Sequence, residues 1–219
     1  MKHRLFTLVE LLTVIAVIAI LAGIAIPVVV GMQSKGRETS ARADMNAIKM
    51  ALTQFKADYS VWPQVSPASD LTASNDLLIE TPFSPESTLS DAETAYDKII
   101  QSLTNNTVVA TTPTEPAAAD RYGNTKKRRY LDPPAKTVLS KNSATAGYYK
   151  LDPWGRRYNI ALDWNYNGKI DLDDADKKRF AQNTEKNPIL GQILIYSYGT
   201  AEDADDTDAF LCSWKTNAD

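Results

Sequence analysis

The sequence predicts an α+β protein: one long N-terminal helix laid on a small antiparallel β-sheet. Three observations predict it. The stretch from Leu5 to Met32 is apolar except for one charged residue, Glu10. Beyond it, Met45, Ile48, Leu52, Phe55 and Tyr59 recur at steps of three and four, one face of a helix. Near the C-terminus, Tyr158–Leu162 alternates as a strand does, and Gln192–Tyr198 forms a second strand.

The first segment sets the cellular address. Leu11 to Val30 is twenty residues without a charge, and roughly twenty helical residues span a hydrocarbon core. Lys2 and Arg4 precede it, so the positive-inside tendency places the rest of the chain outside the cytoplasm. Glu10 is the anomaly. An ionised side chain inside a bilayer costs about 2.5–3.5 kcal/mol on insertion scales, so it calls for a partner. Two plainer readings stay open: a secretory signal cut near Ala25, whose apolar core would be unusually long, and a simple anchor with an incidental Glu.

The helix continues past the bilayer. Lys35, Arg37, Glu38, Arg42, Asp44, Lys49 and Lys56 fill much of its other faces, and a helix reaching Tyr59 would be roughly 80 Å long. Pro27 removes a hydrogen bond and should bend it, Gly31 and Gly36 loosen it, and Trp62-Pro63 closes it. Residues 64–90 are rich in Ser, Thr and Pro and predict loop. Ser90 and Glu93 have capping-box spacing, and Tyr96, Ile99, Ile100 and Leu103 form the apolar face of a short helix. Thr104–Asp120 predicts a mobile surface loop. The basic run Lys126-Lys127-Arg128-Arg129 is either a solvated face or a contact for anionic lipid or an acidic partner.

Two carboxylate clusters follow. Asp163-Trp164-Asn165-Tyr166-Asn167-Gly168-Lys169-Ile170-Asp171-Leu172-Asp173-Asp174 has the spacing of an EF-hand-like or dockerin-like calcium loop, with Asp163, Asn165, Asn167, Asp171 and Asp174 as ligands. Asn167-Gly168 is equally a hairpin signal joining Tyr158–Leu162 to Lys169–Ile170 without metal. Near the C-terminus, Glu202, Asp203, Asp205, Asp206 and Asp208 repel one another. Either a hard cation orders them or they form a solvated acidic loop.

Net charge is −3, and loss of Lys2 and Arg4 would make it −5; nucleic acid is not the expected partner. One cysteine, Cys212, excludes an internal disulfide. The only histidine is His3, nothing matches a nucleophile elbow or phosphate loop, and no enzymatic activity is expected.

The segment Lys2-His3-Arg4-Leu5-Phe6-Thr7-Leu8-Val9-Glu10-Leu11-Leu12 resembles the leader of type IV pilins and type II secretion pseudopilins. The resemblance implies cleavage between Leu5 and Phe6 by a prepilin peptidase and N-methylation of Phe6. It implies that Glu10 pairs with the Phe6 amine of a neighbouring subunit, and that Pro27 is the kink residue of the family. The family usually has Gly before the cut, where this chain has Leu5. Leu151-Asp152-Pro153-Trp154-Gly155-Arg156-Arg157-Tyr158 and the tail Tyr196-Ser197-Tyr198-Gly199, an acidic loop and Trp214 resemble the major pseudopilin of type II secretion. That family's loop binds calcium, which implies Ca2+ on Asp203, Asp206 and Asp208.

The resemblance implies a pilin-like lollipop: leader 1–5, transmembrane helix 6–30, its periplasmic continuation 31–62, a variable region 63–150 and a sheet region 151–219. The chain would sit in the inner membrane with its C-terminal domain periplasmic. It would polymerise with itself, and meet other pseudopilins, the inner-membrane secretion platform and membrane lipid, in a filament that drives protein export. A minor pilin of an adhesion or DNA-uptake pilus, and a membrane-anchored calcium or dockerin-like binding module, are the alternatives.

Overall fold

The computed structural model describes residues 8–65, 76–81, 83, 91–105, 123–132, 150–171, 189–203, 206 and 209–214, with side chains throughout except at 24–31 and 91–94. It contains two helices and six strands among these residues: α1 (Leu8–Tyr59), β1 (Leu77–Ile79), α2 (Asp91–Thr104), β2 (Asn159–Leu162), β3 (Lys169–Ile170), β4 (Ile189–Leu190), β5 (Ile193–Ser197) and β6 (Leu211–Cys212). The chain divides into two compact units, Met1–Thr39 and Ser40–Asp219.

In the first unit α1 presents apolar side chains on every side. Leu8, Val9, Leu11, Leu12, Val14, Ile15, Val17, Ile18, Ile20 and Leu21 are all at least half exposed. Among the described residues no helix is long and apolar enough to cross a membrane. The described side chains of this stretch stop at Gly23, whereas the apolar sequence runs on to Val30. Pro27 lies within α1, and the bend expected there falls among the side chains outside the description.

In the second unit the helical stripe expected from the sequence is the core. Met45, Ile48, Leu52 and Phe55 are essentially inaccessible, joined by Ala41 and Ala51, and Tyr59 packs at the margin. The helix ends where Ser60 takes a left-handed φ of 58° and its N–H closes on the Lys56 carbonyl at 2.7 Å. Trp62 then turns back into the core. In α2, Tyr96, Ile99, Ile100 and Leu103 are all fully buried, as their spacing predicts.

The main sheet is antiparallel throughout, in the order β1-β2-β5-β6. In its centre Asn159 lies opposite Tyr196 and Leu162 opposite Ile193. Side chains alternate across it. Ile160, Leu162, Ile193 and Ile195 join α1 and α2 in one core, whereas Ala161, Leu194 and Tyr196 face a second core with Tyr198, Phe210 and Cys212. The sheet therefore has a helical side and a loop side, both dry. On the loop side Tyr196 stacks on Phe210 at 5.3 Å between centroids, and Tyr198 meets Phe83 edge-on at 5.2 Å.

The expected metal-free hairpin between Tyr158–Leu162 and Lys169–Ile170 does not form. β2 pairs with β1 and β5, while Lys169–Ile170 pairs with Ile189–Leu190 in a separate two-stranded sheet. The reason lies in Asp163: its carboxylate takes the amides that would otherwise extend a ladder, and the chain leaves the main sheet there.

Candidate functional site

Leu5 and Phe6, the expected cleavage pair, lie outside the described residues, as do Asp174 and Asp208. Glu10 is exposed in the first turns of α1, among the apolar side chains just described.

The Asp163–Asp171 segment is built from side chains turned on their own backbone. Asp163 is fully buried, and its Oδ1 and Oδ2 accept the N–H groups of Asn167 and Gly168, both at 2.9 Å. Asn165 Oδ1 also accepts from Asn167 N–H at 3.0 Å, and Asn167 Oδ1 from Lys169 N–H at 2.9 Å. Such side-chain acceptors fix a turn that has no ladder of its own. Gly168 takes a φ of 84°. Asp76, nearly inaccessible, braces both ends: its two oxygens accept from Trp164 N–H at 3.1 Å and Asp171 N–H at 2.8 Å. The loop is tied to the end of α1 as well. Trp62 Nε1–H donates to the Asp163 carbonyl at 2.7 Å, and Lys56 Nζ lies 4.2 Å from the Trp62 ring centroid and 4.7 Å from that of Tyr166.

Asp163, Asn165 and Asn167 are thus brought onto one turn, and Asp171 is held beside it through its backbone N–H on Asp76. In the C-terminal loop Asp203 and Asp206 are adjacent, the Asp206 N–H donating to Asp203 Oδ1 at 2.9 Å. Among the described residues no three acidic, cysteine or histidine side chains converge as a metal site. The oxygens on the 163–171 turn, one carboxylate and two amides, are of the type a hard cation takes.

The Asp-Pro-Trp-Gly segment is a stapled turn. Asp152 Oδ1 accepts the amides of Trp154 at 3.0 Å and Arg156 at 2.8 Å, and Oδ2 accepts the Ser197 hydroxyl at 2.6 Å. Burial pushes the Asp152 carboxyl above its ordinary range, and those three donors oppose the shift. Gly155 supplies the left-handed φ of 88° the turn needs. The turn aims two arginines. Arg156 lies over the Phe83 ring at 4.0 Å. Arg157 makes a two-pronged pair with Asp97 of α2, at 2.9 and 3.1 Å. Gly199, two residues past Ser197, has a φ of 58°, and a Cβ there would meet the Ala209 carbonyl at 2.5 Å.

Two residues with structural weight were not singled out from the sequence: Asp76 and Asn124. Asp76 closes contacts 88 and 95 residues away, a separation that local pattern does not encode. Asn124 is fully buried and ties the ends of α1 and α2 together: it accepts from the Tyr59 hydroxyl at 2.8 Å and donates to the Ser102 carbonyl at 2.7 Å. Only its place before a basic run could have drawn attention to it.

An apolar helix joined in sequence to a two-core domain with an antiparallel sheet is an α+β arrangement consistent with a pilin-like protein. Comparison with known proteins agrees. The chain is similar to type II secretion system core protein G of Vibrio cholerae, 31% identical over 85 residues, which is 39% of this chain and 54% of that protein. The corresponding core protein G of Escherichia coli is 36% identical over 62 residues, 28% of this chain and 43% of its own length. A type IV major pilin protein of Neisseria gonorrhoeae is 31% identical over 72 residues, 33% of this chain and 34% of the pilin. The chain thus spans between about a third and just over half of the length of these relatives. No family model matches the chain, and no solved structure does. The relatives are a pilin and secretion-system core proteins rather than enzymes, in line with the expectation that this chain is not one.

Proposed function

We propose that this protein is a structural subunit of the major pseudopilin type, which polymerises into a periplasmic filament of a type II secretion system and drives protein export. The observation that carries the reading is the first unit of the chain. A helix that is apolar all round needs a cover, and ten large apolar side chains between Leu8 and Leu21 are at least half exposed among the described residues. Lipid covers them before assembly and neighbouring subunits afterwards. The similarity to core protein G supports the secretion filament in particular.

In this reading a prepilin peptidase cuts between Leu5 and Phe6, Phe6 is N-methylated, and Glu10 pairs with the cationic amine of a neighbour's Phe6. The pair would offset the cost of placing Glu10 in lipid and would set axial register. Mass spectrometry of the mature N-terminus tests it: methylated Phe6 is expected, and an intact Met1 would point to a membrane-anchored binding module instead. Glu10→Leu is expected to leave membrane insertion unchanged and to reduce filaments by about tenfold or more, equivalent to about 1.4 kcal/mol per joint. Filaments of normal abundance from that variant would overturn the role of Glu10.

The pilin match favours a second reading, a subunit of a type IV pilus. Deletion separates the two: loss of secreted proteins marks the secretion filament, loss of surface fibres the pilus.

Calcium is proposed as the resident cation of the acidic loops. Asp163, Asn165, Asn167, Asp171 and Asp174 would hold it at one, and Asp203, Asp206 and Asp208 at the other; its role would be to neutralise and order the turns. For detergent-solubilised full-length protein, calcium at a hundredfold excess over its dissociation constant adds about 2.7 kcal/mol. In a chain of this size that raises the melting temperature by roughly 5–10 °C, and EDTA should reverse it. A melting temperature indifferent to both would remove both sites.

A further inference from the structure

We infer that Asn167-Gly168 is a self-modification site, able to close into a cyclic imide, and that the Asp163 carboxylate holds it shut while the domain is folded. The chemistry needs neither a partner chain nor a cation.

Asn167-Gly168 is the only Asn-Gly step in the chain. Glycine has no side chain to shield its nitrogen, and a Cβ built at Gly168 would meet nothing within 4 Å. Both residues are exposed, so water reaches them. In the reaction the Gly168 nitrogen attacks Cγ of Asn167. The new N–Cγ bond forms as the Cγ–Nδ2 bond breaks, and the proton lost from Gly168 leaves with Nδ2 as ammonia. Water then opens the imide at either carbonyl. The product is aspartate, or isoaspartate with an added carbon in the backbone. No electrons are exchanged, and water is the co-reactant.

The folded turn holds both reacting groups. The Gly168 N–H, whose proton has to leave, donates to Asp163 Oδ2 at 2.9 Å. Asp163 is fully buried, so stripping that proton would set a second negative charge beside a carboxylate already out of water. A carboxylate is a far weaker base than a deprotonated amide, so Asp163 retains the proton rather than removing it. Asn167 is fixed as well. Its Oδ1 accepts from Lys169 N–H at 2.9 Å, and its own N–H is shared by Asp163 Oδ1 at 2.9 Å and Asn165 Oδ1 at 3.0 Å. On the far side the Gly168 carbonyl accepts from Gly191 N–H at 3.2 Å. Ring closure therefore waits for the turn to open locally: Asp163 must release Gly168, and Lys169 must release Asn167.

Conversion is one-way and loosens what the turn fastens. An added backbone carbon at position 167 moves the Gly168 N–H off Asp163, the residue whose carbonyl takes the Trp62 indole N–H at 2.7 Å. A chain that has reacted cannot close the turn again in the same register. The pair thus keeps a record of past opening.

The test incubates the full-length chain in detergent, folded and urea-unfolded, in EDTA so that the carboxylate acts alone. Peptide mass spectrometry reads the amide-to-acid change at Asn167. Conversion is expected to be about tenfold or more slower in the folded chain. Hydrogen exchange of the peptide containing Gly168 is read alongside, and urea below the unfolding transition should raise exchange and conversion by the same factor. Equal or faster conversion in the folded chain overturns the inference, because Asp163 would then be a base rather than a clamp. So does an unfolded chain that does not convert, or conversion that rises while exchange stays constant. Asp163→Asn, where it still melts cooperatively, should bring the folded rate up about tenfold, and an unchanged rate would remove Asp163 from the role. Should that variant not fold, the exchange comparison on the unaltered chain still decides.

Discussion

Trp62→Ala is expected to lower the stability of the second unit by about 3–5 kcal/mol, the range for removing a buried Trp from a packed core. Trp62 is 1% exposed, its indole N–H donates to the Asp163 carbonyl at 2.7 Å, and the Lys56 ammonium rests on its ring. Truncation opens a cavity under β2 and leaves the carbonyl of a fully buried residue without its donor. Trp62→Phe separates the two effects. It keeps most of the volume and loses only the hydrogen bond, so it should cost about 1–3 kcal/mol. Denaturant unfolding of both variants decides the matter. A cost for Trp62→Ala below that of Trp62→Phe would show that the side chain is not a packing element, contrary to its burial.

The second large effect is expected from Arg157→Met. Arg157 and Asp97 are 11% and 7% exposed in their side chains, so the pair is shielded from water and salt. Removing the cation takes the two-pronged partner from a buried carboxylate at the junction of α2 with the Asp-Pro-Trp-Gly turn. Breaking such a pair from one side costs about 3–5 kcal/mol. Replacing both partners, Asp97→Leu with Arg157→Met, should recover most of that loss, because the pair itself adds little over apolar packing of similar shape. Equal instability of the single and double variants would mean that the arginine acts through packing rather than charge.

The fold was legible wherever one side chain in three or four, or one in two, had to be apolar. The stripe Met45–Phe55, the α2 face Tyr96–Leu103 and the central strands β2 and β5 were all readable on that ground. What escaped was short or distant. β1 is three residues within a segment that reads as loop, and β4 and β6 are two residues each; no periodicity develops over such lengths. The Asn167-Gly168 dipeptide promised a hairpin, but Asp163 and Asp76 capture the loop amides and send Lys169–Ile170 to a partner twenty residues on. The oxygen donors at Asp163, Asn165 and Asn167 were visible in the sequence. Their attachment to Trp62 and Lys56 was not, because it depends on where α1 ends. The role of the Asp152 turn became visible only with Ser197 and Asp97 in place.

The order of the strands has a consequence for biosynthesis. The central pairing joins β2 to β5, whose residues leave the ribosome well over a hundred positions after the stripe Met45–Phe55. At about 5–20 residues per second, that stripe waits roughly seven to thirty seconds for its covering sheet. A nascent chain with a greasy helix and no lid needs a temporary escort over that interval, so the tolerance of this protein to slow translation is set by the distance between its first helix and its penultimate strand.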